Sequence, residues 1–243
     1  MFDSFAWALR NFDAQIFCDE TILVTPSNAH FPGRKSSAED MAGLVFDRVS
    51  FFAGMQHWPC RLVDEDAAEG LPPPALPVAG LGRAMTAAMP VTLAAAQPLP
   101  VIYRVDQLRD PEVMIAHFAH TLAHYLGTTA NEPPPGGEEN WPHVTELLAV
   151  FMGFGVAMAD SANTAKIRSC GSCSGPAVER ENYLSQFDVT YALAIFCCLK
   201  DIPAREALKH LKSTLRPFFK KAMKDVVRRE SQLQRLREVT AAI

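Results

Sequence analysis

The sequence lacks a long apolar run. Its longest, Leu147 to Ala159, is 13 residues, short of the roughly 20 that a helix needs to cross a bilayer. No membrane-spanning helix is therefore expected. The opening stretch, MFDSFAWALRNFDAQ, has no basic start leading into an apolar run and carries acids at Asp3 and Asp13, so no secretory leader is expected either. A soluble, cytoplasmic protein is the expectation. The chain also lacks a phosphate loop, a G-x-S-x-G elbow and a dinucleotide fingerprint, which leaves no motif for those nucleotide or serine-hydrolase chemistries. Its six cysteines (Cys18, Cys60, Cys170, Cys173, Cys197 and Cys198) would suit a disulfide framework only in an oxidising compartment, and most are expected to be free thiols.

What is present is ordinary globular material: 49% hydrophobic and 21% charged residues in a chain of 243, enough to bury a core in one domain. The net charge of −4 is unevenly spread. From Lys200 onward there are 12 Lys and Arg against 5 Asp and Glu, so the tail carries +7 and the preceding residues −11. Such a tail can meet nucleic acid or an anionic surface. The expectation here is a solvated helix face, because no aromatic platform interleaves with the charges. Nucleic acid is therefore not the expected partner.

Three parts follow along the chain. Residues 1–109 read as a mixed α/β part. In it QIFCDETILVTP suggests a strand or hairpin, and SSAEDMAGLVFDRVSFFAGM a helix from about residue 37 to 54. Residues 66–98, rich in Pro, Ala and Gly, read as a long loop. LPVIYRVDQL then reads as a buried strand. RDPEVM supplies an Asp cap, a first-turn Pro and a first-turn Glu, opening a helix near Asp110. Residues 110–160 are expected to form paired core helices, the second being HVTELLAVFMGFGVAMADSA, apolar on nearly every side. Residues 175–243 read as a helical C-terminal part whose last segment runs as one basic helix.

The first core helix holds MIAHFAHTLAHYLG. At 100° per residue His117, His120 and His124 fall within a wedge of about 60°. His120 and His124, at i and i+4, have the reach of the two histidines in H-E-x-x-H, which bind one zinc ion. His143 lies 18 residues beyond His124, a gap that lets the chain turn and return beside the first helix, so His143 is the candidate third ligand. Each of these histidines is equally readable as a hydrogen-bonded core residue, with His117 free to cap the helix or pair with Glu138 or Glu139. CGSC, Cys170 to Cys173, is half of a zinc-ribbon pattern or a redox pair; alone it assigns neither.

Taken together, VIYRVDQLRDPEVMIAHFAHTLAHYLG and HVTELLAVFMGFGVAMADSA resemble the strand, active helix and second ligand-bearing helix of gluzincin-type zinc metallopeptidases. More narrowly they are similar to bacterial zincin-like proteins that pair an HELxH helix with a TDLLAVFLGxG helix and a later GYLS…YALALF segment. Here those stretches read HTLAH, TELLAVFMGFG and NYLSQFDVTYALAIF, covering about residues 98–222. The resemblance implies an α+β, mostly helical zincin-like fold, with Glu146 accepting a hydrogen bond from a ligand histidine.

Two positions depart from that family. The catalytic glutamate is Thr121, and the third-ligand glutamate falls on Pro142 or His143, of which only His143 has a ligating side chain. In zinc peptidases the glutamate shuttles a proton between metal-bound water and the leaving amine, help typically worth about 10² to 10⁴ in rate. A threonine hydroxyl does not titrate in that range. The expected function is that of a degenerate, non-proteolytic metallopeptidase-like protein. It would act by binding, with another protein as expected partner, and retain one zinc or similar divalent ion on His120, His124 and His143, with Glu146 and Thr121 behind them. No catalytic residue is assigned. The alternative is an active metal-dependent hydrolase in which His117, Glu138 or Glu139 serves as an unconventional base.

Overall fold

In the computed structural model, residues 1–68, 81–84, 98–162 and 183–241 are described. Helices dominate, and the only sheet among the described residues is a parallel pair, so the architecture is mostly helical and compatible with α+β. In chain order the elements are α1 (Phe2–Asn11), α2 (Ala14–Asp19), α3 (Ala38–Ala53), β1 (Cys60–Asp64), α4 (Glu65–Ala68), β2 (Leu99–Tyr103) and α5 (Pro111–Gly127). There follow α6 (Trp141–Ala149), a π-turn (Val150–Phe154), α7 (Gly155–Ser161), α8 (Gln186–Leu199), α9 (Ala204–Leu208), α10 (Arg216–Arg228) and α11 (Glu230–Ala241).

The helix starts follow from their capping residues. Ser37 Oγ accepts the Asp40 amide at the start of α3, and Asp110 Oδ1 accepts those of Glu112 and Val113 ahead of Pro111 in α5. Each satisfies first-turn donors that have no partner within the helix. Ser185 and Asp188 form a reciprocal capping box on α8. The expected helix at about 37–54 is observed as α3, and the one opening near Asp110 as α5.

The expected strand or hairpin in QIFCDETILVTP is not what forms. Asp13, held at φ 55°, accepts the amides of Gln15 and Ile16 and starts α2 across the first half of this stretch. The remainder runs in irregular conformation over the π-turn, where the Val24 amide donates to Gly153 O at 3.0 Å. A local cap outweighs the β-branched composition, and the extended residues find a helix carbonyl instead of a strand partner. The expected single C-terminal helix is also divided, at Arg229, whose backbone (φ −84°, ψ 49°) leaves the helical region between α10 and α11. Of the expected loop 66–98, residues 69–80 and 85–97 lie outside the described residues, as do Cys170 and Cys173.

At the centre α5 packs against α3, α6 and α7, and α8 against α7 and α10. Gly127 permits a close approach of α5 and α6: a Cβ there would stand 2.8 Å from the Trp141 ring. Residues Glu138–Ser161 are together long and apolar enough to span a membrane, yet their most apolar 18-residue window is wholly buried in the protein, as befits a core helix. The run is broken at its π-turn by Gly153, whose φ of 103° belongs to glycine. The C-terminal part packs as its apolar residues predict, with Leu211 and Phe219 fully buried and Phe218 and Met223 partly so. It returns to the N-terminus, where α11 lies on α1 and Arg235 pairs with Asp3.

The two strands run parallel with Cys60 opposite Leu99 and Asp64 opposite Tyr103. The Leu99 amide bonds back to Pro59 O, so the alternate carbonyls, those of Pro100 and Ile102, point away from β1. Both are taken by α5: Tyr125 Oη donates to Pro100 O at 2.5 Å, and His117 Nε2 lies 2.6 Å from Ile102 O. These bonds fix the helix carrying the histidines against the sheet.

Candidate functional site

α5 brings His120, Thr121 and His124 into the interior, and all three are buried. The helix is apolar around most of its circumference because it is covered by α3 on one side and by α6 and α7 on another. His117 shares the side of the helix that carries these histidines but lies a turn nearer the N-terminus, where its ring reaches the sheet. Because a carbonyl can only accept, its Nε2 carries the proton in the contact with Ile102 O. That commits His117 to the sheet and not to Glu138 or Glu139, which are exposed on the turn before α6.

α6 begins with Trp141 and Pro142, a first-turn proline that sets His143 into the opening turn and Glu146 one turn further on the same face. Glu146 is 1% exposed. Its Oε1 accepts the Tyr183 amide at 3.1 Å and its Oε2 the Leu184 amide at 2.9 Å. Burial raises its pKa, while the charges of His120 and His143 and the two amide bonds oppose that rise. Glu146 therefore has two observed tasks. It ties the chain entering α8 to the core helix, and it sets a carboxylate within electrostatic range of two imidazoles. The Tyr183 ring in turn meets the His143 ring edge-on, with centroids 5.7 Å apart.

The histidines themselves are incompletely satisfied. The Nδ1 atoms of His120 and His143 are buried, and neither has a hydrogen-bond partner among the described residues. A buried polar group left in that state costs about 1–3 kcal/mol, so two of them beside one carboxylate mark a place where a proton donor, a water or a metal ion would be gained at low cost. Imidazole nitrogens suit zinc and its neighbours among the divalent metals. Among the described residues, however, no three His, Cys, Asp or Glu side chains are grouped as ligands of one ion. His120 and His143 are brought to the same carboxylate; His124 is one turn along α5, buried, and held by contacts of its own.

Thr121 stands where the resemblance places a glutamate, and its hydroxyl is spoken for. Thr121 Oγ1 donates to His117 O at 3.0 Å, the back-bond that threonine makes to the preceding helical turn. The chemistry open to the site is thus coordination or hydrogen bonding by imidazole with an anionic neighbour. A carboxylate able to take a proton from water is not at position 121.

The site residues that sequence reasoning missed are Tyr183 and Leu184, whose backbone amides occupy Glu146 from 37 and 38 residues away. Only the likeness of NYLS to the family segment hinted at them. No family model, no curated protein and no solved structure matches the chain, so the resemblance to zincin-like proteins rests on the quoted stretches alone.

Proposed function

We propose that this is a non-proteolytic, zincin-like protein that takes up one divalent metal ion, zinc foremost, at the α5–α6 contact and acts by binding another protein. The observation that carries the reading is the pair of buried, unpartnered Nδ1 atoms of His120 and His143, both within electrostatic range of Glu146. His120 and His143 would hold the ion, with His124 as the third donor. Because no three donors stand grouped among the described residues, uptake must recruit the last one. Glu146 would orient a ligand ring, as outer carboxylates do around metal sites.

The ion, when bound, supplies Lewis acidity. Of the candidate bases, Thr121 is back-bonded, His117 meets Ile102 O, and Glu138 and Glu139 face solvent. Those placements disfavour the reading as an active hydrolase with a substitute base.

The test is metal analysis of the purified full chain by mass spectrometry, with thermal unfolding in zinc and in chelator. Zinc is expected to raise the melting temperature of the wild type, since a ligand of the native state must stabilise it, and to leave His120→Ala and His143→Ala unmoved. Absence of stoichiometric metal together with an unchanged melting temperature would remove the metal site. Cleavage of an unfolded protein substrate by the zinc-loaded chain would remove the non-proteolytic reading.

A further inference from the structure

We infer that the outer face of α10 is a docking surface for an anionic lipid bilayer. At 100° per residue Arg216, Lys220, Lys221, Lys224 and Arg228 occupy one arc of about 140°. All five are exposed, and no carboxylate shares the arc. Opposite it Phe219, Ala222 and Val226 are buried against the body, so the orientation is fixed by the core.

The cations of the C-terminal part divide into three groups. Lys200, Lys212 and Arg216 donate to backbone carbonyls. Arg205 and Lys209 meet Glu206, Arg229 meets Asp225, Arg235 meets Asp3 and Arg237 meets Asp201. On the α10 arc, by contrast, Lys220, Lys221, Lys224 and Arg228 form no ion pair or hydrogen bond with any described residue. Charge that is ion-paired or hydrogen-bonded elsewhere is left open on this one face, which therefore complements a partner of dense negative charge.

The apolar residues around the arc distinguish a bilayer from a nucleic acid. Val227 lies within it and is 60% exposed; Phe187, 46% exposed, stands beyond its other margin with its ring 5.0 Å from that of Phe218. Beside Val227 opens a cleft of about 460 Å³, floored by Cys197, Cys198, Ile202, Met223 and Leu233, with Asp201, Glu230 and Arg237 also in its lining. Phosphodiesters of a nucleic acid would engage the lysines and leave Val227, Phe187 and the cleft in water. A membrane surface meets both sets at once, phosphates with the cations and acyl boundary with the apolar groups.

The experiment is flotation of the full chain with vesicles of phosphatidylcholine alone and of phosphatidylcholine mixed with phosphatidylserine. Binding is expected only to the mixed vesicles, weakening as salt is raised. Each cation removed should lower the partition about fivefold, so Lys220→Gln, Lys221→Gln and Lys224→Gln together should lower it on the order of a hundredfold. Circular dichroism should show the fold intact, as these side chains are exposed and unpaired. Val227→Ser should weaken vesicle binding while leaving charge unchanged, and Lys224→Glu alone gives a second charge variant. Failure of the wild type to float with mixed vesicles, or equal flotation of the triple variant, would overturn the inference. So would tighter, salt-steep binding to a DNA or RNA oligonucleotide that Val227→Ser leaves unaffected, which would assign the face to nucleic acid.

Discussion

Replacing Gly153 by alanine perturbs the π-turn that directly follows α6, the helix that carries His143 and Glu146. The residue sits in the π-turn at φ 103° and ψ −2°, a conformation that costs an L-residue about 1–2 kcal/mol. Its new Cβ would also stand 2.2 Å from the carbonyl oxygen of Ile22. An ordinary carbon–oxygen contact is about 3.3 Å, so segment 21–25 must withdraw by about 1 Å, at an overpacking cost of about 1–3 kcal/mol. That withdrawal breaks the bond from the Val24 amide to Gly153 O, worth about 1 kcal/mol. The sum is about 3–6 kcal/mol. For a chain of this size each kcal/mol lowers the melting temperature by about 2–4 °C, so a fall of roughly 6–24 °C is expected by thermal circular dichroism. Gly43 is the control. It lies within α3 with open space where a Cβ would go, and Gly43→Ala should stabilise by about 0.5–1 kcal/mol. A loss below about 1 kcal/mol at Gly153, or equal effects at the two glycines, would refute the account of the π-turn.

Asp160→Asn should change the pH dependence of stability. Asp160 is buried, with Oδ1 accepting the Lys212 amide and Oδ2 unpartnered, and burial raises its pKa against the opposing influence of Lys212 and Arg216. A folded pKa above the unfolded one means the native state holds the proton more tightly, so the native advantage is present below about pH 4 and is lost as pH rises through the folded pKa. The melting temperature of Asp160→Asn relative to wild type should therefore climb between about pH 4 and pH 7; a constant difference would show that Asp160 does not titrate this way. Thr121→Glu, tested with zinc and a peptide substrate, should gain measurable hydrolysis if the proposed site holds metal in a zincin-like arrangement, and no gain would count against that likeness.

How far the sequence spoke for the structure depended on distance along the chain. The start of α5 was legible because Asp110, Pro111 and Glu112 act on their own first turn, and α3 for the same reason at Ser37. The pairing of α5 with the helices after it followed from two apolar runs joined by a short proline-rich link. The residues after Asp13 were misread because the composition of QIFCDETILVTP favours strand, whereas the left-handed Asp13 cap and the carbonyl of Gly153 decide the outcome from outside the window. Of the candidate site, the shared helix face of His120 and His124 was readable from helical periodicity, and Glu146 only from the resemblance. The partners of Glu146 were not, since a carboxylate bound by two amides far downstream leaves no trace in spacing, and neither does the back-bond that occupies Thr121.

The hydrogen bonds from Tyr125 and His117 to Pro100 O and Ile102 O have a consequence for what the sheet can accept. An outer strand normally offers a row of carbonyls and amides on which a further strand, from this chain or another, can grow. Along β2 the outward carbonyls are already filled by side chains of a packed helix, and Pro100 has no amide to offer. An extended peptide therefore finds neither the acceptors nor the full set of donors needed to lengthen the sheet on that side. The same two bonds that hold α5 in place thus seal the β2 side of the pair against edge-to-edge aggregation.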